Sequence, residues 1–137
     1  MEPKSTIIGL SGFSGSGKTQ TSQKLVRILR AGGFQCCGFV SPAVFEGINK
    51  TAIKVKWLEN DTEQLLMTPM TEESQLTIGR WQIHVDVFEW INRNLADLKE
   101  CRAFFCDEIG PLEVLHGKGW IKALDIVDER KCELNVI

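Results

Sequence analysis

The stretch "GFSGSGKT", residues 12–19, decides how this chain is read. A glycine, four residues, then Gly17, Lys18 and Thr19 make the spacing of a phosphate-binding loop. Such a loop works through its backbone. Gly12, Gly15 and Gly17 permit conformations that a side chain forbids, so the main-chain N–H groups of the loop, those of Phe13, Ser14 and Ser16 among them, can converge on phosphate oxygens. Lys18 then reaches the β- and γ-phosphates, and Thr19 offers its hydroxyl to Mg²⁺. The spacing carries this meaning only between a strand and a helix.

Both neighbours have that character. "TIIGL", residues 6–10, is a short apolar run with β-branched residues, expected as a buried parallel strand. After the loop, Leu25, Ile28 and Leu29 recur at helical spacing, and Gly32 with Gly33 stops the helix. "FQCCGFV", residues 34–40, reads as the next strand, closed by Pro42.

The middle of the chain changes period. Ile53, Val55 and Trp57 alternate with Lys54 and Lys56, as in a half-exposed strand. "EQLLM" and "RWQIHV" predict two more strands, the second with Trp81, Ile83 and Val85 on one face. The expectation is a small antiparallel section on the edge of a mainly parallel sheet. Asp86 and Glu89 resemble a capping box opening a helix with Val87, Ile91, Leu95 and Leu98 on its apolar stripe. Residues 103–106, "AFFC", are continuously apolar, as a strand covered on both faces should be. A further helix is expected with Trp120, Ala123, Leu124 and Val127 at core spacing, and "ELNVI" begins another strand. The chain reads as one α/β domain over residues 1–137, ending either on that strand or short of its last elements.

The "AFFC" strand ends in acids. In open α/β sheets ligands collect at the carboxyl ends of the strands, where both this end and the glycine loop would lie. Asp107 is therefore expected to be the second metal anchor beside Thr19, through a water of the Mg²⁺ shell. Glu108 suits a residue that orients or activates an attacking water. Glu113 either lines the same cleft or caps a helix.

Composition narrows the partners. A net charge of −2 gives no footprint for nucleic acid, and no apolar run approaches the ~20 residues of a membrane helix. Residues 1–10 lack the longer apolar region and cleavage site of a signal peptide. The five cysteines, Cys36, Cys37, Cys101, Cys106 and Cys132, are odd in number, and His84 and His116 complete no zinc spacing. They are expected as reduced thiols of a cytoplasmic protein, with Cys106 a small core residue.

"GFSGSGKT" at 12–19, "GFVSP" at 38–42, "DEIGPLEV" at 107–114 and "GKGW" at 117–120 resemble the THEP1-type nucleoside-triphosphatase family over nearly the whole chain. The loop is common to many NTPases; the "DEIGPLE" stretch is far more specific. The resemblance implies a three-layer, RecA-like P-loop fold and Mg²⁺-dependent hydrolysis of ATP, GTP and other nucleoside triphosphates with loose base selectivity. It implies Gly12, Gly15, Gly17, Lys18 and Thr19 as phosphate and metal contacts, Asp107 as the acidic metal partner and Glu108 as the water-orienting acid. The sequence departs from the family where "AVFEGINKTAI" carries Lys50 and no arginine. Arg80 is the remaining candidate for transition-state charge, and slow turnover is expected. Two rivals share the loop: a kinase passing the γ-phosphoryl group to another acceptor, and a nucleotide-loaded switch or adaptor reset by slow hydrolysis. Small P-loop kinases usually carry a lid with several arginines, and none is visible in this sequence.

Overall fold

The computed structural model describes residues 5–12, 17–74, 77–98, 101–107, 125–127, 129 and 132–137. Phe13, Ser14, Gly15, Ser16, Glu108, Glu113, Trp120, Ala123 and Leu124 lie outside these residues. In chain order the elements are β1 (Thr6–Ile8), α1 (Lys18–Ala31), β2 (Cys36–Val40), β3 (Ala43–Glu46), β4 (Asn49–Trp57), β5 (Thr62–Pro69), β6 (Thr77–Ile78), β7 (Trp81–Ile83), α2 (Val85–Ala96), β8 (Ala103–Cys106) and β9 (Leu134–Val136).

One sheet joins the described strands in the order β1-β9-β8-β2-β4-β5-β7-β6, with β3 added beside β4. From β1 to β2 the pairings are parallel; from β2 onward they are antiparallel. The sheet is thus a parallel half continued by an antiparallel half, as the change of period along the sequence predicts.

Strand alternation feeds two cores. Cys37, Phe39 and Phe104 face α2, where they meet Val87, Ile91 and Leu95. Their neighbours Cys36, Val40 and Phe105 face the other way and pack with Val26 of α1 and with Val136. This double duty explains the unbroken apolar runs of β2 and β8. Phe39, Phe104 and Phe105 are at most 1% exposed. Each side chain buried to that degree contributes roughly 1.5–3 kcal/mol.

The close seam between β2 and β8 dictates one residue. Gly38 has φ +88°, and a Cβ there would collide with the carbonyl oxygen of Phe105, its partner across the pair. No other residue suits both the left-handed backbone and the missing volume. The Gly38 carbonyl in turn accepts a hydrogen bond from the Leu58 amide at 2.9 Å.

Several expectations are corrected. Among the described strands β1 lies at the sheet edge, and it is exposed rather than buried, with Ile7 53% exposed. On α1 the inward stripe is Ser22, Leu25, Val26 and Leu29, while Ile28 points outward. Val85 opens α2 instead of extending β7, and its N-cap is His84 with no side-chain cap bond, so Asp86 lies inside the first turn and forms no capping box. The alternation of β4 slips at a register shift between Ile53 and Lys54, which buries Ala52 and leaves Ile53 half-buried. β3 is an addition, folded onto β4 by the two-residue turn at Gly47 and Ile48, with Gly47 at φ +62°. The cysteines are not all reduced. Cys37 and Cys101 form a disulfide, their Cα atoms 6.2 Å apart, because the chain entering β8 faces β2 on the α2 side of the sheet.

Candidate functional site

Three pieces of chain meet at the carboxyl ends of β8 and β2. Asp107 directly follows β8, Ser41 directly follows β2, and Thr19 lies in the first turn of α1. The Thr19 hydroxyl donates to Oδ2 of Asp107 at 2.8 Å, across 88 residues of sequence. The Ser41 amide donates to the same oxygen at 2.9 Å. The Asp107 amide bonds the Phe39 carbonyl at 3.3 Å, so the residue is tied to β2 on both sides of its side chain.

Asp107 is 6% exposed. Burial pushes its carboxyl above the usual carboxylate range. The Ser41 amide, the Thr19 hydroxyl and the Lys18 charge each pull it back down. A buried carboxylate held in this way is under-compensated, which suits it to a cation. The oxygen donors of Thr19 and Asp107 are the hard ligands or water-shell partners that Mg²⁺ prefers.

The start of α1 provides the complementary charge. Its N-cap is Gly17 at φ +94°; no side chain caps it, and its first turn holds no acid. The Gly17 carbonyl accepts from both the amide and the hydroxyl of Thr21, at 2.9 and 3.0 Å. An uncapped N-terminus keeps its partial positive charge for an anion. Lys18 adds a full charge next to it.

Among the sequence-predicted residues, Gly17, Lys18, Thr19 and Asp107 come together here, and Gly12 lies on the exposed chain between β1 and α1. Phe13, Ser14, Gly15, Ser16 and Glu108 fall outside the described residues. Arg80 does not approach the site along the sheet. Its guanidinium lies over the Trp81 ring, 4.7 Å from the centroid, and β2, β4 and β5 lie between β8 and β7, the strand that Arg80 directly precedes. Ser41 is the contributor that sequence reasoning missed. It acts through its amide, and the signal was positional: it follows a parallel strand in "GFVSP". A cleft of about 520 Å³ lined by Arg30, Phe34, Cys36 and Asp97 opens at the opposite end of α1, away from Asp107.

Comparison with known proteins follows the same lines. A family model described as NTPase matches residues 7–137. The nucleoside-triphosphatase THEP1 of Sulfurisphaera tokodaii is 30% identical over 105 residues, which cover 77% of this chain and 61% of that protein. The protein of the same name from Ignicoccus hospitalis is 28% identical over 107 residues, 78% of this chain and 60% of its own. The chain thus matches about three-fifths of the length of these curated relatives. The solution structure of a human cancer-related nucleoside triphosphatase superposes with a TM-score of 0.65 at 21% identity, covering 97% of this chain and 74% of that one.

Proposed function

The chain belongs to the NTPase family, and from that premise we propose that it is a Mg²⁺-dependent nucleoside-triphosphatase converting ATP, GTP and other nucleoside triphosphates to the diphosphate and phosphate. The observation that carries this reading is the contact between Thr19 and Asp107, which joins the end of the glycine loop to the acid at the tip of β8. We read residues 1–137 as a single P-loop domain of the three-layer, RecA-like kind; α1 and α2 on opposite faces of the sheet support it.

In this reading the amides of residues 12–19, with the uncapped start of α1, hold the phosphates. Lys18 neutralises the β- and γ-phosphoryl oxygens. Thr19 and Asp107 would hold Mg²⁺, which would supply positive charge to offset the negative charge developing on the phosphate oxygens. Ser41 fixes the Asp107 carboxylate from behind through its amide. Glu108 is the proposed acid that orients the attacking water. Turnover is proposed to be slow, because the described residues place no arginine at Asp107, and an arginine finger is worth ~10³–10⁵ in rate. No described helix is long and apolar enough to cross a membrane. The cytoplasm is the proposed compartment, nucleoside triphosphates are the proposed partners, and the net charge of −2 speaks against nucleic acid.

The test is phosphate release from ATP, GTP, CTP and UTP, with and without Mg²⁺. Release from several nucleotides, abolished by chelation and slower than the ~10 s⁻¹ median of enzymes, is expected. Metal-independent phosphate release, or release of the nucleoside diphosphate without free phosphate and only when a second phosphoryl acceptor is added, would overturn the reading in favour of other chemistry or a kinase.

A further inference from the structure

Cys37 of β2, Cys101 just before β8 and Cys132 just before β9 bring three sulfur atoms within 4.8 Å of one another. All three residues are buried, at 0%, 6% and 2% exposure. They come from three strands that are adjacent and parallel in the sheet, at the strand ends opposite Asp107. The Cys37–Cys101 disulfide uses two of these sulfurs. A covalent staple between β2 and β8 needs no third, yet Cys132 arrives from the next strand at the same point. Its carbonyl is held by the Ser5 hydroxyl at 2.8 Å and by the Asn135 amide group at 3.3 Å, which fixes that turn of chain.

We propose that, with the Cys37–Cys101 bond reduced, these three thiols form a binding site for a single Zn²⁺ ion. Thiolate sulfur binds zinc at about 2.3 Å, so ligands around one ion sit a little under 4 Å apart. Opening the disulfide lets the Cys37 and Cys101 sulfurs separate to that spacing, and Cys132, within 4.8 Å of both, needs only a small inward movement. Soft thiolates select Zn²⁺ or Cu(I) over Mg²⁺, which keeps this centre chemically separate from the oxygen ligands at Asp107. Charge decides between the two soft ions. Three thiolates around a divalent ion leave one net negative charge, and around a monovalent ion two. The surroundings are apolar, with Leu95, Leu98, Phe104 and Ile126 in the same core cluster, so the smaller net charge is favoured. Because the ligands are buried, the ion enters as the sheet assembles, and binding adds to folding stability.

The bond that must open is one two-electron disulfide. A water-soluble phosphine opens it: phosphine, water and the disulfide give phosphine oxide and two thiols. The full chain is reduced in this way, freed of phosphine and refolded with one equivalent of Zn²⁺ or Cd²⁺. One ion per chain retained through gel filtration is expected, with a thiolate-to-metal charge-transfer band in the Cd²⁺ form and a raised unfolding midpoint. Cys132→Ser is expected to lose the band, while Cys36→Ser, whose side chain faces the other core, keeps it. Should Cys132→Ser not fold, alkylation of the wild-type chain in mild denaturant decides. Zinc is expected to protect Cys37, Cys101 and Cys132 and leave Cys36 and Cys106 reactive. Absence of the band in the reduced wild-type chain, its survival in Cys132→Ser, protection mapping elsewhere, or uptake of Cu(I) but not Zn²⁺ would each overturn the proposal.

Discussion

Asp107 shows what burying a single carboxyl costs in stability. Its carboxyl titrates above the ordinary value of 3.8, chiefly because it is buried. As pH rises from that value, the unfolded chain releases this proton while the folded chain still holds it. Folding stability therefore falls through the window between the ordinary and the raised value, and the loss persists above it. Asp107→Asn removes this penalty. Its amide oxygen can still accept from Thr19 and Ser41. In the absence of nucleotide, the variant is expected to be at least as stable as the parent at neutral pH, with the difference closing below the ordinary carboxylate value. Its hydrolysis should lose its response to Mg²⁺. Denaturant titrations over a pH series, paired with Mg²⁺ titrations of activity, check both halves. Lys18→Ala is expected to abolish phosphate release and leave the fold intact, with circular dichroism as the control. Unchanged turnover in a folded variant would remove the loop from the mechanism. The meeting of Thr19 with Asp107 was legible in the sequence, because side-chain chemistry marks both residues. Ser41 was not, since an amide is common to almost every residue and only its position gives it a role.

Among the elements, those with a strong internal pattern were legible. β2, β8 and the stripe of Val87, Ile91 and Leu95 on α2, with Leu98 just past its end, are buried as their periods require. What periodicity cannot show is where a strand lies in the sheet. "TIIGL" has the composition of a central strand and, among the described strands, sits at an edge. Two-residue β6 and four-residue β3 are too short to carry a period at all. Gly38 is the sharpest test at this scale, since it lets β2 and β8 close on each other. Gly38→Ala imposes a left-handed backbone on a residue with a Cβ, at ~1–2 kcal/mol, and drives that Cβ into the Phe105 carbonyl, at ~1–3 kcal/mol. A loss of about 2–5 kcal/mol is expected by denaturant unfolding, against no comparable loss for Gly33→Ala, which meets open space at a similar φ of +84°.

Across the whole molecule, the division into a parallel and an antiparallel half was legible, because it follows from where the hydrophobic period changes. The convergence of Cys37, Cys101 and Cys132 was not, because their spacing of 64 residues between the first two carries no metal or disulfide signature until the strands are placed side by side. The same long-range logic governs β1. Among the described strands it pairs only with β9, Thr6 opposite Leu134 and Ile8 opposite Val136. The Leu10 amide, two residues before the glycine loop, bonds the Ile137 carbonyl at 2.7 Å. Removing residues 134–137 is therefore expected to abolish nucleotide binding, measured with a fluorescent nucleotide analogue, while the pairing of β4 with β5 persists in hydrogen exchange. The consequence reaches back to synthesis on the ribosome. The loop is translated within the first twenty residues, but the strand that anchors it stays unpaired until residues 134–136 have emerged. On the proposed function, a nascent chain thus carries its phosphate grip from residue 19 to residue 134 of its synthesis without the strand that frames it. In that reading it cannot engage the cell's nucleotide pool in its native manner until that distant strand has been made.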